Sequence, residues 1–571
     1  MKQQYFLYTA LIALVALASC KRESFLNRTP LSDLSPETYF TTEGNLQLYC
    51  NQYYSVFTGQ PGMTTVTGAE NGGLAQQFAD ADDNSDDKAN QSIFQFLDNT
   101  YTIPSSASGT AWDFSLIRSC NFFLANYQKA DLSDSIKDIY VGETLFFRAN
   151  DYFNKVKIFG DVPYINTYLT DTSKTELYAP RMPHTQVMDS VLSDLNFAVA
   201  HLPSPANAAD GRLNMYCALA LKARICLWEG TYREYWGLGN YTAYLQQASA
   251  AAEQIMASGL YGIYTTGSPQ SDYYNLFIQD ELEGNPEAIM PMRYLTTVLM
   301  NGVDRSLGEA GDGYSKAFVR SFLCTDGLPT GLSALYKGDD SLDAEVQNRD
   351  PRLAQQVATR GFDFLNGDII TLPRIGTTVT STGYQCIKGR SSSLAAWNAS
   401  ASTYDFFIFR YAETLLIEAE AQAELGTCTQ TILDNTINKL RDRVGMPHMV
   451  IASLVKDPQS DFPTLPVLID EIRRERRVEL GSEGFRFDDL HRWKAGSLIN
   501  NPETILGVKL LPSVRAEYPP AQVSSIVVDA NYYVRVYPSI TARTWNDRLY
   551  LFPIPTQELS LNPNLAQNTG W

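Results

Sequence analysis

Three glutamates, Glu475, Glu479 and Glu483, recur four residues apart and are the carboxylates most suggestive of chemistry in the chain. On a helix that spacing puts all three on one face, where cations must offset their mutual repulsion. Arg473, Arg476, Arg477 and Arg486 stand nearest in sequence. A glycosidase needs two carboxylates flanking a bond at ~5 to 9.5 Å with a sugar between them. Side chains that project one way from one helix cannot flank anything. A second acidic group, Asp80, Asp82, Asp83, Asp86 and Asp87, falls in a predicted loop. It lacks the glycine and terminal glutamate of an EF-hand, so we expect it to be solvated or to hydrogen-bond a ligand rather than to hold Ca²⁺.

No other catalytic pattern stands out. GxSxG, HExxH and Walker-type loops are missing from the sequence, and no cysteine has a positioned histidine nearby in sequence. The histidines, His184, His201, His448 and His491, lack metal-ligand spacing. Beyond Cys20, the cysteines Cys50, Cys120, Cys217, Cys226, Cys324, Cys386 and Cys428 are odd in number and contain no CxxC pair. That argues against a disulfide framework or a zinc ribbon; buried thiols are expected, for instance at Cys217 and Cys428. We therefore expect no catalytic residue, metal or cofactor. A net charge of −18 disfavours nucleic acid and anionic lipid as partners.

Binding is the chemistry that the composition allows. A polar ligand with apolar faces needs flat aromatic rings to lie on, plus amides, carboxylates or guanidinium groups to read its hydroxyls. Two regions supply them. One precedes Trp112 and holds Asn71, Asp80, Asp83, Asn84 and Phe96; the other holds Arg293, Tyr294, Asp312, Tyr314, Trp397 and Asn398.

These residues need a scaffold, and the scaffold reads as helical. Between Glu143 and Phe159 apolar residues recur at Leu145, Ala149, Phe153 and Val156, and Gly160 with Pro163 supplies the stop. A second pattern runs from Leu213 through Cys217, Leu221, Ile225 and Trp228, with alanines between them allowing close approach of a neighbour. A third sets Leu415, Leu416, Ala419 and Ala423 against Glu413, Glu418, Glu420 and Glu424. With the stretches 183–201, 242–258 and 428–444 they read as antiparallel helix pairs similar to tetratricopeptide packing, without a strict period. Residues 262–403 change to Gly, Ser, Thr, Asp and Tyr, a loop-rich insertion of the kind that carries function. After 496, prolines forbid continuous helix, and the C-terminal segment is expected to wrap the helical body.

The N-terminus predicts export. Lys2, an apolar stretch from Phe6 to Leu17 and Leu17-Ala18-Ser19-Cys20 form a signal peptide with a lipobox, too short to span a bilayer. Cleavage would leave Cys20 to carry the lipid, and two or three acyl chains there anchor stably.

The most distinctive segment reads Glu475-Arg-Arg-Val-Glu-Leu480, then Glu483-Gly-Phe-Arg-Phe-Asp-Asp-Leu-His-Arg-Trp493. Downstream come Pro553-Ile-Pro-Thr-Gln-Glu558 and Asn562-Pro-Asn-Leu-Ala-Gln-Asn-Thr-Gly-Trp571. In these four ordered blocks the chain resembles the SusD/RagB family of outer-membrane glycan-binding lipoproteins. The likeness extends upstream through Gly142 to Ala149, Phe159 to Pro163, Asp405 to Glu413 and Ile437 to Arg443. It departs at Trp571, where Tyr or Phe is commoner, and at Lys21-Arg22-Glu23 in place of an acidic run.

The resemblance implies a mainly α fold of tetratricopeptide-like helix pairs, with a less regular remainder that carries the ligand. On that reading residues 1–19 are the signal peptide and 20–40 a lipidated tether. Residues 41–571 form one domain: a helical part 41–261, the insertion 262–403, a second helical part 404–495 and a wrapping segment 496–571. It also implies an oligosaccharide or polysaccharide ligand and a SusC-like TonB-dependent outer-membrane transporter over which the lipoprotein sits as a lid, facing the cell exterior. The signature charges read as Arg–carboxylate clamps between helices. A peptide- or other nutrient-binding lid, or a helical scaffold without ligand, remain the alternatives.

Overall fold

A computed structural model describes residues 36–58, 80–95, 97–98, 100–309, 311–376 and 379–571. The expected signal peptide, Cys20 and the tether up to residue 35 lie outside the described residues, as do Asn71 and Phe96.

The first helical part contains α1 (Glu43–Asn51), α2 (Ser115–Asn126), α3 (Asp134–Phe159), α4 (His184–His201), α5 (Met215–Tyr235) and α6 (Tyr241–Ala257). All four apolar residues that predicted α3 are buried. Its stop is as expected: Gly160 takes a φ of 70° and returns its N–H to the Val156 carbonyl. Asn214 caps α5 by accepting from the N–H groups of Tyr216 and Cys217. A close approach on this helix occurs at Gly230, where an added Cβ would lie 2.8 Å from Leu245 Cδ2 on α6.

After the insertion come α7 (Tyr411–Glu424), α8 (Gln430–Asn435), α9 (Ile437–Val444), α10 (Val467–Leu480) and α11 (Arg486–Arg492). The single pattern at 428–444 is two helices, because Thr436 breaks the backbone at φ −125°, ψ −91°. Packing runs α1 and α2 on α3, α3 on α4, α4 on α5, α5 on α6, α6 on α7 and α7 on α10. Thus helix pairs distant in sequence share one apolar core, which includes Trp112, in edge contact with Phe159 at 4.9 Å. Among the described residues no helix is long and apolar enough to cross a membrane. The cysteines from Cys50 to Cys386 are free and buried, whereas Cys428 is only partly so.

The insertion leaves and returns through a two-stranded ribbon. β1 (Ala288–Met292) pairs antiparallel with β2 (Phe406–Arg410), with Ala288 opposite Arg410 and Met292 opposite Phe406. Between them the chain is not a set of surface loops. It folds around a second core of Tyr273, Tyr314, Phe318, Phe322, Tyr384 and Phe406, reached also by Val508 of β3 (Leu506–Lys509), which pairs with β4 (Tyr533–Arg535). A small third cluster holds Ala358, Phe364, Ile370 and Ile387, with Trp397 packed against it.

The C-terminal tail is tied to the end of α3. Asn568 donates from Nδ2 to the carbonyls of Phe159, at the end of α3, and Phe552, and its Oδ1 accepts from Arg181. Trp571 donates its indole N–H to the carbonyls of Arg548 and Leu551.

Candidate functional site

The glutamates of the signature are fully engaged inside the protein. Glu475 and Glu479 face inward from α10, but Glu483 lies past the end of that helix, beyond Gly481. None of the three is paired with the neighbouring arginines expected from sequence. Glu475 meets Arg352 at 2.7 Å and Arg441 at 2.8 Å; Glu479 meets Arg352, Arg410 and Arg443 at 2.6 to 3.0 Å; Glu483 meets Lys388 and Arg410 at 2.6 Å. Burial works against the Glu479 charge, yet Arg443, Arg410 and Arg352 more than offset it and hold its carboxyl well below the usual range. Burial lowers Lys388 to about 8 against the pull of Glu483. The neighbouring arginines serve other carboxylates: Arg473 pairs with Glu424, Arg476 with Asp489, and Arg477 and Arg486 with Asp86. This is a clamp between elements, with no space for a sugar between acid groups.

The acidic run corrects a second expectation. Asp82, Asp83, Asp86 and Asp87 are buried, each at most 4% exposed, rather than solvated. The segment docks on the signature because Arg477 and Arg486 need counter-charges there. Asp86 takes both Nε and Nη2 of Arg486 at 2.7 and 2.8 Å, and Asp87 takes Nε of Arg477 at 2.6 Å. Asp82 accepts from the backbone N–H groups of Ser482 and Arg486. Burial, then repulsion from Asp312, pushes Asp83 well above the usual carboxylate range, while Lys88 bridges toward both at 3.7 and 3.1 Å. Asp83 and Asn84 thus present no surface to a ligand, and Asp312 is buried with them; Asp80 stands half-buried at the edge of the segment.

Two aromatic candidates are also core residues. Tyr314 has no exposed surface, stacks on Phe318 at 4.4 Å and accepts a hydrogen bond from Ser482. Tyr294 is 5% exposed, with its ring edge on Phe406 and its N–H donated to Asp405. Arg293 lies nearer the surface, spent on Asp210 and Glu283 at 2.6 and 2.9 Å.

Trp397 and Asn398 differ from these. Trp397 is part-exposed and Asn398 exposed, at the end of a short helix, Leu394–Trp397. The Trp397 ring presses on Gly308, where an added Cβ would lie 2.3 Å from Cζ3, and its edge meets Phe364 at 5.6 Å. Beneath it is Arg390, with its guanidinium 5.1 Å from the Trp397 ring and 3.8 Å from that of Phe364. Arg374 lies on Phe364 as well, at 3.8 Å. The adjoining loop, tied to this one by paired hydrogen bonds between Asn301 and Ser402, exposes Leu295, Val298 and Met300. Sequence reasoning missed Arg390, Phe364 and Arg374. The only cue was a Lys388-Gly-Arg390 run shortly before Trp397.

Concavities also occur against α10 and α11, one lined by Arg320, Asp461, Phe462, Arg473 and Arg477. Its charges are spent on each other, Asp461 lying 3.0 and 2.8 Å from Arg320 and Arg477. Among the described residues no group of three or more His, Cys, Asp or Glu is arranged to hold a metal ion.

The four sequence blocks supply the glutamates of the clamp and the residues of the C-terminal latch, and they lie within a stretch that matches a known family. The SusD family profile matches residues 292–571, and one described as "Starch-binding associating with outer membrane" matches residues 25–227. The chain belongs to the SusD/RagB family. Among curated relatives, SusD-like protein P38 of Formosa agariphila is 26% identical over 499 residues, covering 85% of this chain and 90% of that one. Among solved structures, a SusD-like carbohydrate binding protein from Bacteroides fragilis superposes with a TM-score of 0.70 at 22% identity, over 93% of this chain and 100% of that one. A laminarin binding SusD-like protein gives 0.56 at 21%, over 93% and 100%. At such identities the likeness is one of fold, and it confirms the mainly helical SusD-like architecture.

Proposed function

We propose that this SusD/RagB chain is a cell-surface glycan-binding lipoprotein, anchored to the outer membrane through Cys20, that captures oligosaccharides and passes them to a TonB-dependent transporter. The observation that carries the reading is Trp397. It is a part-exposed indole resting on Gly308, with Asn398 next to it in the chain and an arginine beneath. That is the apolar face plus polar readers that a pyranose needs. The family description, which pairs starch binding with the outer membrane, supports ligand class and location. So do the carbohydrate-binding relatives of the same fold.

A single stacked ring gives weak affinity, which the transporter partner would amplify by holding ligand between two surfaces. A glycan array probed with the full chain in detergent tests the binding reading: signal on a defined set of glycans is expected, and silence across plant, host and microbial glycans would favour a peptide ligand or a scaffold. Protease shaving of intact cells tests the outward orientation, since an inward-facing chain would be protected.

A further inference from the structure

Arg390 is the buried guanidinium least provided for in this protein. It has no exposed surface, yet no carboxylate lies within 4.0 Å of it among the described residues. Arg352, Arg410, Arg443, Arg473, Arg477, Arg486 and Arg492, also buried, each have a carboxylate at 3.1 Å or less. Arg349 and Arg543 also lack one, but they donate to three and two carbonyls respectively. Arg390 donates only from Nη2, to the Phe364 carbonyl, and its Nε and Nη1 have no partner. Burial lowers it to about 10, with Asp304 pulling the other way.

The unfilled groups cluster. Asp304 uses Oδ2 for the N–H and hydroxyl of Ser391 and leaves Oδ1 unfilled; Gln385 turns its amide nitrogen toward the carbonyls of Leu307 and Gly308 and leaves Oε1 unfilled. All lie about the helical turn that contains Gly308, the residue on which Trp397 rests, and an added Gly308 Cβ would lie 3.1 Å from Arg390 Nε. Two donors of a cation and two acceptors therefore await partners under one part-exposed indole. Buried polar atoms in native proteins are nearly always satisfied, so something absent from the chain itself fills them. Water can meet the acceptors. A buried guanidinium calls for an anion.

We propose that the site under Trp397 selects saccharides that carry a negatively charged substituent, a carboxylate or a sulfate ester, with Arg390 as the residue that reads the charge. This rests on the glycan-binding reading and narrows it. Trp397 stacks on the ring, Arg390 Nε and Nη1 donate to the anionic oxygens, and Asp304 and Gln385 accept from hydroxyls. Entry requires the indole to lift from Gly308. Arg374, 27% exposed on the outer side of Phe364 and paired with Asp368, adds a second cation on the approach. The overall charge of −18 opposes long-range attraction of an acidic polymer, so the selectivity is local.

Affinity electrophoresis of the full chain in detergent tests this, with polygalacturonate and alginate for carboxylates, dextran sulfate for sulfate esters, and laminarin and soluble starch as neutral polymers. Expected is retardation by a carboxylated or a sulfated polymer about tenfold stronger than by either neutral one, and weakened by salt. Arg390→Gln should lose about tenfold of that affinity, Arg390→Lys less. If Arg390→Gln fails to fold, Arg374→Gln, at the surface, and the salt series still decide. Neutral polymers bound equally well, with Arg390→Gln and Arg374→Gln unchanged, would overturn the inference, leave water in the site and leave the glycan reading standing. No retardation by any polymer would overturn both.

Discussion

Arg410, the last residue of β2, closes on Glu483 across the end of α10 with Nε to Oε2 at 2.7 Å and Nη2 to Oε1 at 2.6 Å. The same guanidinium donates from Nη1 to Glu479 and Glu287 at 2.9 and 2.8 Å. Arg410 therefore joins the ribbon through which the insertion returns to the helix that carries the signature. The insertion is held in place relative to the helical body by this contact.

Glu479 is the centre of the clamp, and its loss leaves Arg352, Arg410 and Arg443 short of a counter-charge in a buried place. Glu479→Ala should cost about 3–5 kcal/mol, the penalty of breaking a buried ion pair from one side. Urea denaturation followed by circular dichroism measures it; a cost under about 1 kcal/mol would mean that the network is not under load.

His491 gives the pH dependence a sign. It is buried among Trp228, Tyr232 and Tyr550, and burial lowers it to about 3 from the ordinary 6.5. The unfolded chain therefore binds a proton between those values that the folded chain refuses, and stability falls as pH falls through that window, by about 1.4 kcal/mol per unit for this group. Denaturation midpoints of His491→Phe measured from pH 7 to 4 should fall less steeply than those of the unmodified chain. Parallel curves would refute the assignment.

The C-terminal latch has a comparable test. Asn568→Ala removes the hydrogen bonds that its amide makes to the carbonyls of Phe159 and Phe552 and from Arg181, while Arg181 keeps its bond to the Phe159 carbonyl. A loss of about 1–3 kcal/mol is expected from those lost bonds. Limited proteolysis should then cut first in residues 552–571, and an unchanged digestion pattern would show that Trp571 suffices to hold the tail.

Gly308→Ala separates the ligand surface from the fold. The new methyl would overlap the Trp397 ring and lie 3.1 Å from Arg390 Nε, displacing the indole and blocking the guanidinium beneath it, while the packing of the two larger cores stays as it is. Overpacking of this kind costs about 1–3 kcal/mol. Tryptophan fluorescence should shift to the red and glycan affinity should fall about tenfold, with circular dichroism unchanged.

Much of the helical frame was legible in the sequence because a 3.6-residue period and a glycine stop are local signals. Leu145, Ala149, Phe153, Val156 and Gly160 specify their helix without help from elsewhere. The clamp was legible as chemistry but not as pairing: Glu475, Glu479 and Glu483 are served by Arg352, Lys388, Arg410, Arg441 and Arg443, brought in by four other segments, and nothing local to α10 names them. The acidic run misled for the same reason. Asp86 and Asp87 look solvated until Arg477 and Arg486, some four hundred residues away, need them. In the insertion, which lacks a regular period, Tyr314 and Trp397 read alike, yet one is core and the other surface. Which way each points is set by the ribbon and the second core, both tertiary facts.

Calorimetric titration of Trp397→Ala beside the unmodified chain, with a glycan that the array identifies, is the most direct measurement of the account. Loss of detectable binding with at most a small drop in Tm is the predicted result. Binding that survives the substitution unchanged would contradict the placement of the site.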